Sequence, residues 1–258
     1  MILDKIVEKT KERYIDKLDK LDEIKELSAR RAIINPNFFY EAIGKKGISF
    51  ICEIKKASPS KGVISEEFPY FYLEIAKNYN ECADCISCLT EPFFFQGSDE
   101  YLTNIKMNVN IPVLRKDFIL YEYQIYEAKC IGADAILLIV AILDKDTLKK
   151  YIDIAHSIGL GCLVEAHDEK ELEIAVSSGA KVVGVNNRNL KDFTIDMNNS
   201  INLRNKAPKD ILFVSESGIK VRSDIKKLED NNIDAVLIGE TLMRSSDIIN
   251  EVRKLKND

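Results

Sequence analysis

The chain is expected to fold as an α/β protein: a single (β/α)8 barrel with an N-terminal helical extension. Three observations lead there. Eight short segments are apolar throughout rather than alternating, which marks parallel strands buried on both faces. Each is followed by a segment of helical periodicity, at a fairly even spacing. The length, 258 residues, suits one such barrel. An open doubly wound sheet is the alternative. It normally carries a glycine fingerprint after its first strand, and Ser58-Pro59-Ser60-Lys61-Gly62 is not one.

Taken in order, residues 2–27 set Ile2, Leu3, Ile6, Val7, Tyr14, Ile15, Leu18, Leu21, Ile24 and Leu27 among charges at helical spacing. This predicts an amphipathic helix packed on its own domain. Asn35-Pro36 opens a second short helix, with proline in its first turn. Residues 1–47 are read as the extension and 48–258 as the catalytic barrel. Strands are predicted over 48–55, 85–89, 112–116, 135–141, 161–165, 182–186, 211–216 and 235–239. Helices are predicted near 70–80, 99–107, 121–131, 144–158, 168–178, 197–206, 221–231 and 247–256. Asp144, Asp168 and Ser246 stand as N-caps, and Gly132, Gly159 and Gly179 as C-terminal stops.

Composition excludes several classes. A net charge of −5 argues against a nucleic-acid partner. No apolar run reaches the length of a membrane span, and Met1-Ile2-Leu3-Asp4-Lys5 lacks a signal-peptide core, so a cytoplasmic protein is expected. Cys82, Cys85 and Cys88 are spaced three apart. On one strand Cys85 would face away from the other two, so reduced core thiols are expected rather than a metal site. With two histidines and no ligand cluster, no catalytic metal is expected. His156 reads as a surface residue, and His167 as a loop cap. The oligomeric state expected is a monomer or weak homo-oligomer.

The chemistry is carried by the strand ends, where this fold keeps its active sites. Glu53 and Lys55, two apart on the first strand, share a face with inward Ile51. Ser58 and Lys61 follow in a basic, glycine-ended loop suited to an anion. Later ends offer Lys116 with Phe118, then Glu165, then Asn186 with Arg188, then Glu216. Phe95 lies in the loop after the second strand. Arg115 and Asp117 flank Lys116 on the opposite face and read as structural. Buried charges are costly unless paired or used. Two lysines and three carboxylates converging at one end point to proton transfers on an anionic substrate. Ser217-Gly218 and Gly239-Glu240, after strands seven and eight, suit a phosphate.

Glu53-Ile54-Lys55-Lys56-Ala57-Ser58-Pro59-Ser60-Lys61-Gly62, Leu114-Arg115-Lys116-Asp117-Phe118, Leu163-Val164-Glu165-Ala166-His167, Gly184-Val185-Asn186-Asn187-Arg188-Asn189-Leu190 and Ser215-Glu216-Ser217-Gly218-Ile219 closely resemble indole-3-glycerol phosphate synthase, in the family's order along the whole chain. The resemblance implies the monofunctional form. It implies closure of the pyrrole ring of 1-(2-carboxyphenylamino)-1-deoxyribulose 5-phosphate, a phosphorylated small molecule, with loss of carbon dioxide and water, in tryptophan biosynthesis and without a cofactor. Lys116 is then the acid that polarises the ribulose carbonyl and Glu165 the main acid–base group of the dehydration. Glu53 and Lys55 are further candidates, and Asn186 and Glu216 position substrate hydroxyls and lysines. Ser58, Lys61, Phe95, Phe118, Arg188 and Leu190 are the expected substrate contacts. The resemblance also sets the extension over the catalytic mouth, so removing residues 1–44 is expected to weaken activity more than folding. The isomerase of the preceding step and a non-catalytic sugar-phosphate binder are the competing readings.

Overall fold

Alternation along eight strands decides what the sheet encloses. The structure, a computed structural model, describes residues 2–31, 35, 37–64, 67–189 and 192–256; Pro36 and Leu190 lie outside them. The strands are β1 (Ser49–Ile54), β2 (Cys85–Leu89), β3 (Val113–Lys116), β4 (Ala135–Ile139), β5 (Gly161–Ala166), β6 (Val182–Asn186), β7 (Leu212–Glu216) and β8 (Ala235–Ile238). All pair in parallel in chain order, and β8 returns to β1 with Ile51 beside Leu237. This is the closed (β/α)8 barrel the sequence predicts, with each strand displaced by no more than a few residues at its ends.

Every second residue faces in. Ile51, Cys85, Leu114, Leu137, Ile139, Leu163, Val182, Val214 and Leu237 fill the interior. Their neighbours, among them Phe50, Cys88, Ile136 and Val183, pack under the surrounding helices. Burying each large aliphatic side chain is worth about 1.5–3 kcal/mol. Cys82 ends a helix rather than lying on the strand with Cys85 and Cys88. All six cysteines are free thiols.

The helices around the barrel are α4 (Phe68–Cys82), α5 (Asp99–Lys106), α6 (Glu122–Cys130), α7 (Lys145–Ser157), α8 (Glu169–Ser177), α9 (Asn198–Arg204), α10 (Arg222–Glu229), the single turn α11 (Glu240–Met243) and α12 (Ile248–Lys256). Asp144 and Asp168 cap α7 and α8 by accepting from the N–H groups of Thr147 and Glu171. At α12 the cap is Asp247, which accepts from Asn250 N–H, and not Ser246. Gly132, Gly159 and Gly179 stop their helices with φ of 95°, 91° and 91°.

The extension departs from expectation twice. The single predicted helix is α1 (Ile2–Tyr14), a 3₁₀ segment (Ile15–Lys20) and α2 (Leu21–Ala29). The buried positions are Ile6, Thr10 and Tyr14 on α1 and Ile24 and Ser28 on α2, with none on the 3₁₀ segment between them. The second departure is α3 (Asn37–Ile43), whose Phe39 and Ile43 are fully buried in the barrel interior. Phe39 rests on Gly161 at the start of β5, where a Cβ would stand 2.8 Å from its ring. Thus α3 closes the barrel floor. The expectation for removal of the extension therefore narrows to α1, because loss of α3 would open the core.

Candidate active site

At the opposite end, the C-terminal rims of the strands surround a cavity of about 400 Å³, within the usual range for small-molecule sites. Among its lining are Glu53, Lys55, Ser58, Lys61, Phe95, Lys116, Phe118, Glu165, Asn186, Arg188, Glu216, Ser217, Gly218, Gly239 and Glu240. Every predicted site residue that is described lies here. Ile2, Leu3 and Ile6 of α1 complete the wall, so the extension covers this mouth.

The charged centre follows from strand phase. Leu114 points inward on β3, so Lys116 does too; Leu163 and Val214 do the same for Glu165 and Glu216. Lys116 Nζ donates to Glu216 Oε2 at 2.7 Å and lies 3.5 Å from Glu165 Oε2. Lys55 Nζ lies 2.5 Å from Glu53 Oε1. All three carboxylates are buried. Two glycines make room for them. A Cβ at Gly184 would stand 2.3 Å from Glu216 Oε1, and one at Gly239 would stand 2.6 Å from Glu53 Oε1. Alanine at either position would displace a charged group of the site.

Crowding sets the protonation states. Burial works against the Lys116 ammonium, yet Glu216, Glu165 and Glu53 outweigh it and hold the lysine well above its ordinary range. Burial pushes the Glu165 carboxyl up, but Lys116 and His167 outweigh it and hold the group low, as a carboxylate. For Glu216, burial and the nearby Glu165 charge prevail over Lys116, raising its pKa to about 7. Its Oε1 is buried and without a hydrogen-bond partner among the described residues. A cation, an ionised base and a carboxyl poised near neutrality thus share one cavity.

Around this centre, Asn186 Oδ1 accepts from Ser217 Oγ and from Arg188 N–H, each at 3.0 Å. The rings of Phe95 and Phe118 lie 6.1 Å apart and form one apolar wall. Ser58 and Lys61 sit on a small hairpin, Ala57–Ser58 against Gly62–Val63, rather than on a plain loop. Lys61 reaches across the mouth to within 3.8 Å of Glu240. Glu240 opens α11, and its carboxylate also lies 3.4 Å from Arg244. These two cations draw its side chain, which leaves the turn at Gly239 to present backbone. Ser217 and Gly218 both have positive φ, 69° and 92°, a sharp turn held at the site.

Both histidines differ from expectation. His156 is half-buried and bonds the Tyr40 hydroxyl at 2.7 Å, because Tyr40 on α3 reaches under α7. His167 stands behind the site, 3.2 Å from Glu165 Oε1, and is not among the residues that line the cavity. Its spacing, two after inward Glu165, was a usable signal. No chemistry in the sequence marked Ile2, Leu3 and Ile6 as site residues; only their apolar face did. Among the described residues no cluster of three or more His, Cys, Asp or Glu is placed to hold a metal ion, and no helix is long and apolar enough to cross a membrane.

A (β/α)8 barrel with partly exposed lysines and buried carboxylates gathered at its C-terminal rim defines an enzyme of the barrel class. The particular family follows from comparison. The model of the family described as indole-3-glycerol phosphate synthase matches residues 3–255, and the chain belongs to that family, carboxy-lyases of tryptophan biosynthesis. It is 55% identical over 260 residues to the indole-3-glycerol phosphate synthase of Ruminiclostridium cellulolyticum, covering 99% of each chain. It is 53% identical over 262 residues to that of Endomicrobium trichonymphae, covering 100% of each. A solved structure of 3-hexulose-6-phosphate synthase from Salmonella typhimurium superposes with a TM-score of 0.66 at 16% identity, over 81% of this chain and 97% of that one. That last likeness speaks to the fold alone.

Proposed function

We propose that the chain cyclises and decarboxylates 1-(2-carboxyphenylamino)-1-deoxyribulose 5-phosphate to indole-3-glycerol phosphate, carbon dioxide and water. The observation that carries this is the Lys116 ammonium, held between Glu216 and Glu165 and opening onto the cavity walled by Phe95 and Phe118. The aromatic ring rests on that wall. Lys116 donates its proton to the ribulose carbonyl oxygen as the ring carbon attacks it. Carbon dioxide then leaves and the ring regains its conjugation. Dehydration follows: the new hydroxyl takes a proton from Lys55 and leaves as water, and Glu165 removes the proton that completes the pyrrole. Glu53 and Lys55 assist the dehydration, while Asn186 and Glu216 position hydroxyls and Lys116. Since a carboxylate enters and neutral carbon dioxide leaves, each turnover takes up one proton.

The substrate's anionic ends meet the remaining cations and N–H groups. Lys55 and Arg188 face the carboxylate and phosphate, with Ser58 and Lys61 at the rim. Phosphate sits in the notch between Ser217-Gly218 and Gly239-Glu240, on backbone N–H groups. No cofactor or metal has a role in this scheme. The test is fluorescence of indoleglycerol phosphate formed by the purified chain in the presence of EDTA. Turnover of this substrate, with none of phosphoribosylanthranilate, is expected. The reverse pattern, or inactivity on both, overturns the proposal.

A further inference from the structure

The scheme above gives His167 no part, yet its ring is fixed from both sides. Nδ1 bonds Glu171 Oε2 at 3.1 Å, and Nε2, which has no hydrogen bond among the described residues, lies 3.2 Å from Glu165 Oε1 as a charge contact. The same Glu171 oxygen accepts the backbone N–H of His167 at 2.8 Å. From α9, the Asn199 amide donates to the His167 carbonyl at 3.1 Å. Glu171 is itself anchored as the third residue of α8, behind the Asp168 cap. Helix capping therefore doubles as a mount for a side chain behind the site.

We propose that His167 is a positioning residue: backed by Glu171 and Asn199, it pins Oε1 of Glu165 so that Oε2 stays turned toward Lys116 and the substrate. This rests on the role assigned to Glu165. The need for such a pin is geometric. The terminal torsion of a glutamate is broad and soft. Lys116 is a weak anchor for Glu165, because its shorter contact, 2.7 Å against 3.5 Å, is with Glu216. The other charged groups acting on this cluster are Glu216 and, further off, Glu53; those acting on His167 are Glu165 and Glu171. Burial pulls the imidazole pKa down, but Glu165 and Glu171 outweigh it and raise it to about 10. The ring is thus a cation through neutral pH, and it favours the ionised, proton-accepting form of Glu165. A ring that merely filled space would have no need of a second carboxylate behind it.

The experiment compares kcat, KM and pH profiles of wild type, His167→Gln and Glu171→Gln on the carboxyphenylamino-deoxyribulose phosphate. An inactive wild type would count against the proposed function; the inference about His167 is judged on the variants relative to an active wild type. With His167→Gln, kcat is expected to fall about 10–100-fold with KM within about threefold. The acidic limb of the kcat profile should move up by about one pH unit, because loss of the cation lets Glu165 protonate at higher pH. Glu171→Gln should shift the limb the same way by less. Should His167→Gln fail to fold, Glu171→Gln carries the kinetic test. Ring ¹⁵N spectra of the wild type add a direct reading, with the two histidines distinguished by His156→Gln. An imidazolium signal for His167 persisting above pH 8 is expected. A neutral His167 ring at pH 7.5, variants with wild-type kcat and pH limb, or a defect confined to KM would overturn the inference.

Discussion

Two buried ionic clusters sit back to back on β3, one on each face of the barrel wall. Outside is Arg115, fully buried. It donates to Thr90, the Gln124 carbonyl, Tyr14, Asp99, Asp117 and Glu127 at 2.8–3.3 Å. Arg13 adds contacts to Asp117 and Asp99 at 2.9 and 3.1 Å, and Tyr14 bonds Glu127 at 2.5 Å. Inside is Lys116, with Glu216, Glu165, Glu53 and Lys55. The outer cluster is saturated: every guanidinium nitrogen of Arg115 has an acceptor. The inner one keeps Glu216 Oε1 without a hydrogen bond among the described residues, and it opens onto a cavity. Adjacent residues of one strand thus do opposite work. What separates them is completeness of pairing, since a satisfied network rigidifies whereas open valences await a ligand.

That contrast can be broken from either side. The largest effect expected is Glu165→Gln, which keeps shape and removes the base; kcat should drop about 10²–10⁴-fold with the urea midpoint little changed. Arg115→Met should do the reverse. It leaves Asp117 with Arg13 and Glu127 with Lys17 as their remaining cations, and removes the fully buried charge that joins them. The cost in urea unfolding should approach the roughly 3–5 kcal/mol of a broken buried pair. A loss under about 1 kcal/mol would show that the outer cluster is not structural.

Deleting residues 1–20 touches both clusters, since α1 supplies Arg13 and Tyr14 to one and Ile2, Leu3 and Ile6 to the mouth of the other. KM is expected to rise about tenfold, with part of the Arg115→Met destabilisation alongside. Unchanged kinetics in a folded truncation would remove the covering role of α1. The smallest effect belongs to Lys149→Met, an exposed lysine paired with Asp153 on its own helix. Stability should move by less than about 0.5 kcal/mol and kinetics not at all.

The barrel was legible because its strands are apolar on both faces, so eight continuous runs could not be mistaken for surface segments. The inner cluster was legible for the same reason: strand phase places Glu53, Lys116, Glu165 and Glu216 on the inward face. Three features were not. The bonds of Tyr14 with Arg115, and of Arg13 with Asp117 and Asp99, join residues about a hundred positions apart, which no local pattern encodes. The floor formed by α3 depends on Phe39 meeting Gly161, again a contact distant in sequence. His167 is hidden because a single histidine in a loop is most often solvated, and its partners Glu165, Glu171 and Asn199 come together through the α8 cap and α9.

The most direct test of the division between the two faces is steady-state fluorescence kinetics of Lys116→Met. The substitution keeps much of the side-chain length and removes the donated proton. A fall in kcat of about 10²–10⁴-fold with little change in KM is expected if Lys116 is the acid of ring closure. A near-normal kcat, or a defect in KM alone, would contradict that role, make Lys116 a binding group and pass the acid's part to Lys55.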